Sequence, residues 1–189
     1  MKELKNWKSA AVEYSTGLQD SMLSEKQCLE ILRKVGCSEE VIAHSLSVSE
    51  LAERITCDVI HNGGSVDLKL VIAGAILHDI GRSVTHDLDH VVEGVKIAQD
   101  LALEPEIIGI IRSHVGGGIS QEEAQKFGFP ENNYIPQTLE EKIVAHADNL
   151  IKGTTRISLD ERIESMNNKG LSNESIFRIL KLADEIGVY

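Results

Sequence analysis

His78 and Asp79 stand side by side at the end of an apolar run, Leu70-Val71-Ile72-Ala73 through Ala75-Ile76-Leu77. Other histidines and aspartates also occupy places where the pattern calls for core residues. His44 lies between Val41 and Val48, His114 follows Ile107, Ile108, Ile110 and Ile111, and Asp148 sits one turn after Val144. Burying an ionised carboxylate without a partner costs several kcal/mol, roughly, and the usual remedies are an opposite charge or a metal. One helical histidine alone is more often a hydrogen-bonded core or rim residue. Four or more such residues, all at helix ends or on buried faces, point instead to a shared cation. Imidazole and carboxylate donors suit Fe, Mn, Co, Ni or Zn with coordination positions left for water.

The elements that must position these residues are helices. Ser24-Glu25-Lys26-Gln27 has capping-box spacing ahead of Leu29, Ile31, Leu32 and Val35, and Gly36 is a stop signal. From Glu39 to about Ile60, Val41, Val48, Leu51, Ile55 and Val59 recur on one helical face until Asn62-Gly63-Gly64. Asp67 opens a helix whose apolar residues surround its axis, the mark of a central, fully buried element. Asp89 is read as the N-cap of a helix through Leu101. Pro105 starts another that reaches His114 and breaks at Gly116-Gly117-Gly118. Ser120 to Phe127 reads as a short helix, and Gly128 to Pro136 as an irregular loop. Leu139 through Ile151 forms an amphipathic helix containing Asp148, and Ser172 to Ile186 the last helix. No run alternates convincingly enough for a strand. The fold class is all-α, one helical bundle over residues 24–189, preceded by an extension over residues 1–23 in which Trp7, Val12, Tyr14 and Leu18 give no firm helix.

Composition sets bounds. The 189 residues can enclose a core, and with aromatics at only 4% that core is built from Leu, Ile, Val and Ala. A formal charge of −11 excludes a general nucleic-acid-binding surface, which needs a basic footprint. An anionic substrate would need a local reversal of that field, which a bound cation provides. Cys28, Cys37 and Cys57 form no C-x-x-C pair and read as thiols of a reducing compartment. With no apolar run of membrane-spanning length and no leader pattern, no membrane partner and a cytoplasmic location are expected.

The order His44, His78-Asp79, Asp148, with Ile80-Gly81 after the doublet in AGAILHDIGR, resembles the HD phosphohydrolase superfamily and its HDIG subgroup over roughly residues 38–156. That resemblance implies a helical bundle of the HD/phosphodiesterase type in which His44, His78, Asp79 and Asp148 bind one divalent metal. His90 in DHVVEGVKIA and His114 in IIRSH are similar to the additional histidines of the binuclear HD branch. The symmetrical dinucleoside-tetraphosphate hydrolases share this layout, with a closing segment matched here by Glu141-Lys142-Ile143 to Ala147-Asp148. By that likeness His90 and His114 hold a second metal, and Asp79 bridges the two as the catalytic centre. SVTHDLDHVVEG and LEEKIVAHADNLIKG also resemble an uncharacterised archaeal HDIG group, a likeness that supplies no substrate. Ile80-Gly81-Arg82 and the glycine run after His114 depart from the tetraphosphate hydrolases and weaken that substrate assignment.

The implied activity is hydrolysis of a nucleotide or related phosphate ester or anhydride through a hydroxide bridging two divalent ions. Arg82, Lys152 and Arg156 are the candidate phosphate contacts, the last two on the assumption that the helix holding Asp148 continues past Gly153. His86 is a candidate second-layer or substrate residue. His61 and His146 are left outside the site, His146 because two helical residues point it away from Asp148. A mononuclear nucleotidase, a di-iron oxygenase on the same scaffold and a non-catalytic nucleotide-binding module stay open, as does homodimerisation.

Overall fold

Ser24, Ser38, Asp67, Thr138 and Ser172 each turn a side-chain oxygen onto a backbone N–H of the first helical turn, and helices begin immediately after them. The computed structural model describes residues 22–187; Trp7, Val12, Tyr14 and Leu18 lie outside the described residues. In chain order the helices are α1 Glu25–Val35, α2 Glu39–His61, α3 Leu68–Leu77, α4 His90–Asp100, α5 Pro105–Ser113, α6 Gln121–Lys126, α7 Leu139–Asn149, α8 Leu159–Asn168 and α9 Asn173–Ile186. The all-α expectation therefore holds, with one small exception. A two-stranded antiparallel hairpin, β1 Ile151–Lys152 and β2 Thr155–Arg156, comes after α7.

α3 is the pivot, as its all-round apolar sequence requires. It packs against α1, α2, α5 and α7, and Val71, Ala73, Ala75, Ile76 and Leu77 are wholly excluded from solvent. A helix so placed delivers the residues at its C-terminal end into the middle of the bundle. Those residues are His78 and Asp79, and a 3-10 turn, Ile80–Ser83, carries the chain onward.

Gly81 decides how near that turn comes to α4. A Cβ at this position would lie 1.9 Å from the His90 carbonyl oxygen and 2.6 Å from the Gly94 nitrogen. Only hydrogen fits there. Gly94 repeats the device on the other side, where a Cβ would stand 2.9 Å from Ile111 Cγ2 on α5. The turn after the doublet thus lies on the backbone of α4, and α4 in turn lies on the Ile111 side chain near the end of α5.

Three sequence expectations need correction. Asp89 is helical (φ −60°, ψ −13°) and its carboxylate makes no capping hydrogen bond, so α4 starts without a side-chain cap. The helix carrying Asp148 stops at Asn149; the chain turns at Gly153 (φ +63°), a conformation that favours glycine, and returns as β2. The segment after it, to which the sequence pattern assigned no element, forms α8 from a complete capping box of Ser158 and Glu161.

Candidate metal centre

His78 is the residue at which α3 ends, and its ring is entirely enclosed. Asp79 is next, with a side chain only 3% exposed. His90 opens α4 and His114 closes α5, both buried, while α2 supplies His44 and the last turn of α7 supplies Asp148. Four helix termini and one helix face converge on one spot.

Each histidine is held in one orientation by a backbone carbonyl. Nδ1 of His44 donates to Gly153 at 2.8 Å, His78 to Ala75 at 2.7 Å, His90 to Asp87 at 2.7 Å and His114 to Ile111 at 2.8 Å. A carbonyl oxygen only accepts, so the proton of each neutral ring sits on Nδ1 and the lone pair on Nε2. All four Nε2 atoms point inward. His44 Nε2 lies 3.0 Å from Asp148 Oδ1 and 3.8 Å from Asp79 Oδ2; His78 Nε2 is 3.6 Å from each of those oxygens. On the other side, His90 Nε2 and His114 Nε2 stand 3.2 and 3.5 Å from Asp79 Oδ1, and 3.1 Å from each other.

This is a cluster of acceptors facing acceptors. Two neutral imidazole lone pairs 3.1 Å apart repel, as do lone pairs aimed at carboxylate oxygens. Buried His78 Nε2 and Asp79 Oδ1 have no well-formed hydrogen bond. Either protons or a cation must sit among them. Acting alone, burial would lower the pKa of His78; Asp79 and Asp148 beside it outweigh burial and raise it to about 9. Burial would likewise raise Asp79, but His78, His114 and His90 hold its carboxyl well below the usual carboxylate range. Burial lowers His114 despite Asp79. The environment is thus built to favour positive charge at the carboxylates and to keep an imidazole lone pair available beside them. The residues fit a divalent ion. Groups drawn from His44, His78, Asp79, His90, His114 and Asp148 bring their donor atoms within 4.8 Å of one another.

The candidate substrate residues part company. Arg82 Nε donates to Asp79 Oδ2 at 2.5 Å and Nη1 donates to the His86 carbonyl at 3.2 Å, which places this guanidinium at the mouth of the cluster with its side chain 30% exposed. Lys152 and Arg156 do not share a helical face with Asp148, because the helix has ended before them. In the hairpin Arg156 is paired with Ile151 and Lys152 with Thr155, so their side chains leave opposite faces. Lys152 lies over α8 near Glu161 and Glu164, and Arg156 lies beside His146. His146 is buried and points away from Asp148, as its spacing predicts; burial, then the charge of Arg156, lowers its pKa to about 4. His86 is exposed and contributes its carbonyl, and His61 is the exposed last residue of α2.

Two residues of the segment beginning at Glu141 have a supporting role that the sequence reading did not assign. Asn149, fully buried, donates from Nδ2 to the Gly116 carbonyl at 2.8 Å and ties the end of α7 to the glycine run after His114. Glu141 accepts from the Gln137 N–H at 2.6 Å and from Ser113 Oγ at 3.3 Å, which fixes α7 against the residue preceding His114. The bonds to Gly116 and Ser113 span 33 and 28 residues and leave no signal in spacing.

The fold and the site together define an all-helical protein with a candidate histidine–aspartate metal centre. Residues 41–153 match the family model described as HD domain. An uncharacterised protein of Methanocaldococcus jannaschii is 45% identical over 162 residues, covering 85% of this chain and 95% of that protein. The chain belongs to the HD domain family, and the expected archaeal relationship holds. It is also 42% identical over 158 residues to a tRNA (cytidine(56)-2'-O)-methyltransferase of Thermoplasma volcanium, a match covering 84% of this chain and 45% of that protein. The chain therefore spans less than half the length of that relative. Among solved structures, the HD domain of the L. monocytogenes phosphodiesterase PgpH superposes with a TM-score of 0.51 at 18% identity, over 86% of this chain and 98% of that one. The same domain in complex with cyclic-di-AMP gives 0.51 at 20% identity, over 85% and 97%. These likenesses concern the fold. Family membership supports a hydrolase as a class. Among the described residues no helix is long and apolar enough to cross a membrane.

Proposed function

We propose that this chain is a metal-dependent phosphohydrolase acting on a nucleotide or a related phosphate ester or anhydride, with catalysis centred on Asp79. The observation that carries the reading is the division of one carboxylate: Asp79 Oδ2 faces His44 and His78, while Oδ1 faces His90 and His114. On this reading His44, His78, Asp79 and Asp148 hold one divalent transition-metal ion, and Asp79, His90 and His114 hold a second. Ions bound there supply a water nucleophile activated at neutral pH and offset the charge that builds on the phosphoryl oxygens.

The chain's own groups do the positioning. The four carbonyl-anchored imidazoles present their lone pairs without a rotamer search. Arg82 uses two of its donors on Asp79 and His86 and has others left for a phosphate, which a planar guanidinium grips in two places. Its position at the mouth of the cluster makes it the favoured substrate contact of the three cations, while Lys152 and Arg156 face other surroundings.

The test is a screen of protein supplied separately with Mn, Fe, Co, Ni and Zn against nucleotides, dinucleoside polyphosphates and cyclic dinucleotides, with metal analysis of each preparation. Cyclic-di-AMP is included because the PgpH HD domain binds it. Phosphate-releasing or diester-cleaving activity is expected, with Asp79→Asn reducing it at least ~100-fold. Full metal content and full activity in Asp79→Ala would refute the mechanism. Oxygen uptake with an organic substrate and no phosphohydrolase activity would assign the centre to a di-iron oxygenase.

A further inference from the structure

α2, α7, the chain after β1 and α9 enclose a cleft of about 850 Å³, lined by none of His44, His78, Asp79, His90, His114 and Asp148. Its α2 wall, Leu51 to Asp58, begins seven residues beyond His44 and ends fourteen beyond it. At 1.5 Å per residue that is roughly 10–20 Å along the axis from His44, while at the end of α7 the cleft reaches His146 and Leu150, each two residues from Asp148 and so turned away from its face. The volume falls in the range of small-molecule sites.

The lining combines apolar walls with charged residues at the rim. Leu51, Ile55, Leu150, Ile157, Leu159 and Ala183 form apolar walls. Arg54 on α2 and Arg156 on β2 stand over them, and neither guanidinium makes a hydrogen bond or ion pair with the described residues. His146 also lines the cleft; it is only 4% exposed, and its buried Nδ1 has no hydrogen-bond partner. Asp58 and Asp160 complete the rim as acceptors. Two unpaired guanidiniums balance the two rim carboxylates, so beside the apolar walls the cleft is locally neutral in a chain of net charge −11. An unpartnered buried imidazole in the same wall adds a polar group that lacks a ligand of its own.

We propose that this cleft is a second ligand site, distinct from the metal centre, for a nucleoside monophosphate or a molecule of the same make-up. The phosphate lies on Arg54 and Arg156, the base lies between the apolar walls, and Asp58 and Asp160 accept from ribose hydroxyls or base amino groups. A divalent ion has no part in this binding, so the site stands whether or not the phosphohydrolase reading does.

The experiment is calorimetric titration of AMP and of UMP into the full chain after its metals have been stripped with chelator. One ligand per chain is expected for at least one of the two nucleotides. The double variant Arg54→Gln/Arg156→Gln, at exposed positions where the fold is not at stake, is expected to weaken it at least tenfold with an unchanged thermal melt. Asp79→Asn, which alters only the metal centre, is expected to leave the affinity within twofold. The proposal is overturned if neither nucleotide binds at millimolar concentration or if the double arginine variant binds as well as the parent. It is equally overturned if Asp79→Asn abolishes binding, which would place the nucleotide at the metal centre. Inorganic phosphate binding as tightly as AMP would overturn it too, since the apolar walls would then contribute nothing.

Discussion

Four backbone carbonyls settle what the site histidines can do, because each takes the Nδ1 proton and leaves Nε2 to the cluster. Three of those carbonyls lie three residues before their histidine, at Ala75, Asp87 and Ile111, so the helix end that carries the ring also orients it. The fourth, Gly153, is 109 residues from His44 and has no counterpart in any local pattern. His44, His78, Asp79, His114 and Asp148 were legible in the sequence because polar residues at apolar positions are costly, whereas His90 and the bridging place of Asp79 came with the resemblance. Which oxygen of Asp79 faces which pair was not legible, since that is a matter of helix packing. That partition makes a countable prediction. Parent protein reconstituted with excess Mn and gel-filtered is expected to carry two ions per chain by elemental analysis. His90→Ala and His114→Ala are each expected to carry one, with the fold intact by circular dichroism. Two ions retained in both variants would remove those residues from the ligand set and leave Asp79 as a ligand to one ion only.

At the scale of elements, the doublet works because of the glycine two residues beyond it. Gly81 allows the turn to lie on the backbone of α4, which brings His90 within 3.2 Å of Asp79. Gly81→Ala must push α4 away by more than an ångström or distort the turn, and neither neighbour is a flexible side-chain end. Overpacking of this kind costs about 1–3 kcal/mol. For a chain of this length that corresponds to a fall of roughly 3–10 °C in Tm, read by calorimetry. The same variant is expected to lose the ion proposed for His90 and His114 before the one proposed for His44, His78 and Asp148. A melt and a metal content both unchanged would show that the turn has slack that the packing does not suggest. Most helices were legible in the sequence because their caps and apolar faces are local signals. A change of direction is not. Leu150 and Ile151 continue an apolar period, yet Gly153 turns the chain back, so Lys152 and Arg156 part from Asp148. Helix α8 did have a local signature, the Ser158–Glu161 capping box, but the segment has few apolar residues to mark a face.

Among the described residues three apolar clusters are fastened together, and the second is held to α9 by polar contacts. The main core fills the bundle; Val91, Ile119, Ala124, Phe129 and Tyr134 form a second cluster, and Met166, Ile176 and Ile179 a third. α9 spans the third cluster and the main core, with Leu182 and Ile186 in the latter. It is tied to the second cluster by Arg178, which donates to Glu123 Oε2 at 2.5 Å and to the Gly118 carbonyl at 3.2 Å, while Ser175 Oγ donates to Glu123 Oε1 at 2.9 Å. Glu123 also caps α6 by accepting from the Ser120 N–H at 2.7 Å. The partners that join α9 to this cluster are 52 to 60 residues apart, so no sequence pattern announced them. Partial burial pushes the Glu123 carboxyl up, but Arg178, the Ser120 N–H and Ser175 outweigh it and hold the pKa at about 2. A carboxylate whose folded pKa lies below its unfolded value of about 4.3–4.5 stabilises the fold fully above that value. The contribution fades as pH falls toward 2. With the side chain 23% exposed, solvent screening reduces it to about 1–2 kcal/mol. Glu123→Gln is therefore expected to lower Tm at pH 7 by roughly 2–8 °C. The gap to the parent should narrow from about pH 4.5 downward and close near pH 2. A gap that stays constant over that range would mean that Glu123 contributes through its shape and neutral hydrogen bonds, and that the clusters are held together by packing alone.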